Sequence, residues 1–145
     1  MEFVVESVNI SIATGTPKQP VPEIHVIDNW GIEGDGHAGA HHRQVSFLAG
    51  EAVDRLKAKG LRLGPGAFGE NIVTRGIDWT RSEVGGRITI DSAVFEITQI
   101  GKECHSPCAI YRTVGQCIMP SEGVFARVVK GGIIHAQSRG HYHIR

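Results

Sequence analysis

Arg87-Ile88-Thr89-Ile90-Asp91-Ser92-Ala93-Val94-Phe95-Glu96-Ile97-Thr98-Gln99-Ile100 is the stretch on which the fold turns. Two runs rich in β-branched residues flank Asp91-Ser92, a pair suited to a tight turn, so the stretch reads as a β-hairpin. Gly85-Gly86 punctuates its entry. Beyond it, Gly101 to Cys117 shows no period. Ser121 then resembles a helix N-cap, and Val124, Phe125, Val128 and Val129 predict one helical stripe ending at Gly131. Ile133-Ile134 suits a last short strand, and the tail from Ser138 to Arg145 is polar.

Upstream of the hairpin, short elements again dominate. Val4, Val8, Ile10 and Ile12 fall on even positions, with Glu6 among them, and predict a long first strand. Thr16 to Pro22 reads as a loop, and Ile24 to Ile27 as a strand. Gly31 to Arg43 is a glycine- and histidine-rich loop. Gln44 to Phe47 suits a strand that runs into a helix, where Ala52, Val53 and Leu56 share a face and Gly60 stops it. After Pro65-Gly66, Asn71 to Thr74 predicts another strand. Many short strands with two or three short helices predict a mainly β, barrel-like domain spanning residues 1–145.

Composition narrows the function. Lys plus Arg is 15 and Asp plus Glu is 15 in 145 residues, which argues against a general nucleic-acid binder. A chain of this length buries roughly two-thirds of its unfolded surface, so neither disulfides nor a structural metal is needed to fold it. No apolar run is long enough for a membrane helix. Met1 to Glu6 shows no signal-peptide features, which predicts a cytoplasmic protein. Three cysteines, an odd count, predict reduced thiols there.

Three segments could carry chemistry. In Cys104-His105-Ser106-Pro107-Cys108, followed by Cys117, the spacing allows a metal site or a reactive thiol. Lys102, His105 and Arg112 flank these cysteines and would favour a thiolate. Burial as small apolar side chains is the third reading. In Asp35-Gly36-His37-Ala38-Gly39-Ala40-His41-His42-Arg43, glycines oppose a helix, so a loop with cationic donors suits an anion better than a metal. A solvated loop is the plain alternative. In Gly64-Pro65-Gly66-Ala67-Phe68-Gly69-Glu70-Asn71-Ile72, glycines permit close backbone approach, either to a ligand or simply within a turn.

Taken in order, these segments resemble the MOSC domain, a family named for the C-terminus of molybdenum-cofactor sulfurases. The matching text is Gly34 to His37, Gly66 to Ile72, Gln99 to His105, and Cys117 to Phe125. The resemblance implies a β-rich barrel with a cleft. It implies either sulfur carried on a cysteine as a persulfide or binding of the molybdenum cofactor, molybdopterin with its terminal phosphate. It thereby implies a sulfur donor or a molybdoenzyme as partner protein. Some relatives, such as the mitochondrial amidoxime-reducing component, use the cofactor to reduce N-hydroxylated compounds.

By the same resemblance, Cys104 falls at the family's functional cysteine, which ligates molybdenum in some members. Asn71 falls near a pterin-contacting asparagine, and Ser46 at a position that contacts the phosphate. Arg43, His37, His41 and His42 would add cofactor contacts, as would Lys102, His105 and Arg112. A carrier in cofactor handling is one reading and a reductase another. A non-catalytic metal- or anion-binding module is the third. The Gly-Asp pair that often closes the family is absent: the tail reads Gly132-Ile133-Ile134-His135-Ala136-Gln137-Ser138-Arg139-Gly140-His141.

Overall fold

The structure is a computed structural model and describes residues 1–101 and 118–144. Strands β1 (Glu2–Ile10), β5 (Val45–Ala49), β6 (Ile72–Arg75), β7 (Arg87–Ile90), β8 (Ala93–Ile100), β9 (Val124–Lys130) and β11 (Arg139–His143) form a closed seven-stranded barrel. A three-residue strand, β2 (Gln19–Val21), adds to β1 alone. A second, small sheet runs β10–β3–β4, with β10 (Gly132–His135), β3 (Glu23–Ile27) and β4 (Gly31–Ile32). Helix α1 (Gly50–Lys57) follows β5, and a 3-10 turn spans Trp79–Arg81. A short α2 (Met119–Glu122) precedes β9.

The hairpin holds as its sequence predicts: Ile90 pairs with Ala93, and Asp91 takes the left-handed turn position at φ 52°. Its inward residues Ile88, Ile90, Phe95 and Ile97 are buried. They join an aromatic cluster in which Trp79 meets Phe3 edge-on at 5.3 Å and Phe47 meets Phe95 at 5.3 Å. Such edge-to-face pairs add about 0.5–1.5 kcal/mol beyond burial. The Trp79 indole N–H donates to Thr74 Oγ1 at 2.8 Å, so the buried ring leaves no polar atom unmet.

Four expectations need correction. Val124 to Val129 is not helical but strand β9, paired with both β8 and β5. Helix is confined to Met119–Glu122 and stops at Gly123. The β-branched residues fit a pleated surface buried on both flanks, and this tertiary pairing overrides the 3.6-residue spacing. In β1 the odd positions Phe3 and Val5 point inward, and a register shift between Val5 and Ser7 then buries Ser7, Val8 and Asn9 together. Ile12 lies past the strand and is 93% exposed. The segment expected as a plain loop before Pro22 contains β2, an edge strand that tolerates Pro20.

The polar tail is the fourth. Arg139–His143 is β11, paired with β1 on one side and β7 on the other, so Ile133-Ile134 does not form the last strand. β11 closes the barrel without the missing Gly-Asp pair. Gly140 allows it: a methyl group there would overlap the Phe3 ring. Helix α1 matches expectation, burying Ala52, Val53 and Leu56. Among the described residues no helix is long and apolar enough to cross a membrane.

Candidate functional site

Ser46 and Asn71 are buried and bonded to each other. Ser46 is the second residue of β5, and Asn71 immediately precedes β6. The Ser46 amide and hydroxyl both donate to Asn71 Oδ1, at 3.0 and 3.2 Å. The Asn71 amide donates to Ser46 Oγ at 3.0 Å, and Asn71 Nδ2 donates to the Asn9 carbonyl at 3.1 Å. The Asn9 amide returns a bond to the Asn71 carbonyl at 2.7 Å. Three strands are thereby tied at one point by side chains that are 0–2% exposed. Only Asn9 Oδ1 lacks a hydrogen-bond partner there among the described residues.

A second buried polar cluster lies beside the first, around a residue the sequence reading passed over. Lys18, between β1 and β2, has a fully buried side chain paired at 2.7 Å with the fully buried Asp35. Its ammonium also donates to Ser11 Oγ at 3.2 Å and meets His37 Nδ1 at 3.0 Å. The Lys18 amide donates to the Gly66 carbonyl at 2.8 Å. Gly66 must be glycine: its φ is +81°, and a side chain would overlap the Lys18 carbonyl. Nothing in the sequence around Pro17-Lys18-Gln19-Pro20 marks this lysine as buried. Its only cue is structural, through the glycines of the two loops it joins.

Glu70 closes the same glycine loop. Its carboxylate accepts from the amides of Gly66 and Phe68, each at 3.0 Å. Burial pushes its carboxyl up to about 7, against the pull of those amides and of Lys18. The glycine segment therefore folds around its own carboxylate, which is the turn reading rather than the ligand reading of that motif.

The cationic loop is different, because His41, His42 and Arg43 are exposed. The Arg43 amide donates to His41 Nδ1 at 3.1 Å. The Arg43 guanidinium stands 5.7 Å from the centroid of the Phe125 ring, a cation–π placement that holds it to β9. Where β8 bulges between Ile97 and Gln99, the Thr98 hydroxyl donates to the His42 carbonyl. His42 Nε2 donates to Gln99 Oε1 at 2.9 Å, and Gln99 Nε2 donates to the Gly101 carbonyl at 2.8 Å. Bulges recur beside active sites because they re-aim side chains. This one fixes a His-His-Arg run against the end of β8.

Gly101 is the last described residue before the cysteines. Cys104, Cys108 and Cys117 lie outside the described residues, as do Lys102, His105 and Arg112. The chain leaves at Gly101 and resumes at Ile118. The Gly101 amide donates to the Gly123 carbonyl at 2.6 Å, and Ile100 pairs with Val124. The strand that enters the cysteine segment is thus anchored to the residue after α2 and to the start of β9, beside the residues on which Arg43 and His42 rest.

A separate hollow of about 350 Å³ lies between α1 and the 3-10 turn. Among the described residues Glu51, Asp78 and Glu122 line it with Arg55 alone opposing them, a charge balance unsuited to an anion. Among the described residues no three His, Cys, Asp or Glu side chains are disposed to hold a metal ion.

The architecture matches solved structures over its full length. The YuaD protein of Bacillus subtilis superposes with a TM-score of 0.82 at 20% identity, covering 100% of this chain and 97% of that one. YiiM of Escherichia coli gives a TM-score of 0.68 at 20% identity, covering 100% of this chain and 71% of the other. YiiM of Geobacillus stearothermophilus gives 0.68 at 18% identity, covering 99% and 74%. At these identities the likeness is one of fold. Among curated proteins no sequence matches. The family model of the MOSC domain matches residues 34–139, a span that holds the glycine and histidine loops, the hairpin and β9. The chain therefore belongs to the MOSC domain family.

Proposed function

We propose that this chain binds the molybdenum cofactor and works on it through Cys104. Membership of a family named for molybdenum-cofactor sulfurases supports the reading. The observation that carries it is the hydrogen-bonded run from His42 through Gln99 to Gly101, which ties an exposed cationic loop to the strand leading into Cys104.

The described residues fit the cofactor's anionic end. Arg43 offers planar, charge-assisted donors to a phosphate, and His41 and His42 add ring N–H groups. Ser46 and Asn71 act differently in this proposal. Their polar atoms are spent on each other and on Asn9, so they hold the strand that carries the loop rather than touching the ligand.

When bound, the cofactor supplies a molybdenum centre with a preference for soft ligands, which a thiolate meets. Cys104 has two uses there: as a metal ligand, and as a carrier of sulfur. In the second, its thiolate attacks the outer sulfur of a persulfide on a donor protein. The donor's S–S bond breaks, the donor leaves as a thiolate, and Cys104 carries the persulfide, with no net oxidation. Lys102, His105 and Arg112 are assigned to stabilising that anion.

The test loads the purified chain with a cysteine persulfide donor, removes the donor, and adds cyanide. Stoichiometric thiocyanate is expected from the wild type, Cys108→Ala and Cys117→Ala, and none from Cys104→Ala. Thiocyanate that survives Cys104→Ala overturns the assignment of sulfur carriage to Cys104.

A further inference from the structure

The outer face of β11 carries a cluster that the proposed chemistry does not use. Side chains two apart on a strand share a face. Arg139, His141 and His143 therefore stand together, while Gly140 and Tyr142 point inward. Directly opposed residues on antiparallel strands share a face as well. His141 is thus flanked by Glu2 of β1 and Thr89 of β7, and His143 by Arg87 of β7. The two imidazole rings lie with centroids 4.1 Å apart and planes tilted by 30°.

The state of His141 suits a metal ion. Its Nε2 lies 3.1 Å from the Met1 nitrogen, which also donates to the Tyr142 carbonyl at 3.1 Å. An ammonium has protons only to give, so Nε2 presents its lone pair and the ring proton sits on Nδ1. Burial, the Met1 ammonium and the His143 ring hold His141 below the usual imidazole range, against the pull of Glu2. The neutral ring is the form that metals take.

An imidazole nitrogen sits about 2.0–2.1 Å from a bound metal, which puts two nitrogens on one ion roughly 3–3.5 Å apart. The two rings are already stacked near that separation. Small rotations of the two side chains bring one nitrogen from each to a single ion.

We propose that His141 and His143 are a chelating pair for a d-block divalent cation, with Cu²⁺ held most tightly and water completing its shell. The ion takes the Nε2 lone pair from the Met1 nitrogen. Imidazole suits Cu²⁺, Ni²⁺ and Zn²⁺, and affinity among these peaks at Cu²⁺. Mg²⁺ prefers oxygen ligands and is passed over. The site is separate from the proposed cofactor face: β11 pairs with β1 and β7, whereas Arg43 and His42 rest on β9 and β8.

The test uses the full chain with its thiols alkylated, so that the cysteines do not compete. Histidine-labelled protein is titrated with Cu²⁺ and followed by NMR, where the ion broadens the rings that bind it. The His141 and His143 signals are expected to vanish first, and Mg²⁺ to leave them unchanged. Their persistence while other histidine signals vanish overturns the proposal.

Affinity supplies the second readout. Losing even an outer-shell partner of a metal ligand costs about 10- to 100-fold. His141→Gln and His143→Gln are therefore each expected to weaken the tightest Cu²⁺ site at least about tenfold. Equal affinity in the wild type and either variant overturns chelation by the pair. Matching unfolding midpoints without metal show that the variants keep the fold, and the wild-type titration decides the proposal where they do not.

Discussion

Asn71 Oδ1 lies 3.0 Å from the Ser46 amide nitrogen and 3.2 Å from the Ser46 hydroxyl, and accepts from both. One side-chain oxygen thus replaces a rung of the ladder between β5 and the turn before β6. Truncating it orphans the buried Ser46 amide and the Asn9 carbonyl. Each orphan costs about 1–3 kcal/mol. Asn71→Ala is expected to lower the unfolding free energy by about 2–4 kcal/mol in urea titrations, with an unchanged denaturant slope. A loss below about 1 kcal/mol would show that water replaces the knot.

Glu70 gives stability an unusual pH sign. Burial raises its carboxyl from 4.5 to about 7, so between those values the folded chain binds more protons than the unfolded chain. Stability contributed by this group is therefore greatest below its unfolded value and falls as pH rises towards 7. The span corresponds to about 3 kcal/mol as an upper figure. Glu70→Gln is expected to flatten the stability profile between pH 4.5 and 7. It also weakens the loop, because an amide has one oxygen to meet the Gly66 and Phe68 amides. A wild-type profile that rises across this range contradicts the assignment.

Barrel closure depends on Gly140 beside Phe3. The Phe3 ring is buried and packed edge-on against Trp79, so it has nowhere to move. Gly140→Ala is expected to cost about 1–3 kcal/mol through overpacking. Phe3→Leu in the same chain should recover part of that loss, since the ring edge that clashes is gone. Thermal denaturation of the two variants and their combination measures the coupling.

These residues also show what the sequence made legible. The hairpin was readable because Asp91-Ser92 marks the turn and both arms alternate. β9 was not, because Val124, Phe125, Val128 and Val129 satisfy a helical face and a strand equally, and pairing with β5 and β8 decides between them. β11 holds one large apolar residue, Tyr142, and its inward glycine hides the alternation. Of the candidate site, His41 to Arg43 stood out by composition. Lys18 did not, because burial of a lysine depends on Asp35, which lies 17 residues further along the chain.

Arg43 separates a ligand-binding loop from a solvated one. It is exposed and loses only its contact with the Phe125 ring, so Arg43→Ala is expected to change stability by no more than about 1 kcal/mol. Losing a charge-assisted contact to phosphate costs about 1.5–3 kcal/mol, or roughly 10- to 100-fold in affinity. Arg43→Lys should recover only part of this, because the planar fork is lost. Titration of cofactor-loaded against unloaded chain, followed by pterin fluorescence, measures both variants.

The most direct measurement is pterin content. The chain is purified from a cofactor-making host fed molybdate, its ligand is released and oxidised, and fluorescence is read against protein concentration. Close to one pterin per chain is expected in the wild type, and a small fraction of that in Arg43→Ala. A folded wild-type barrel that carries no pterin contradicts it.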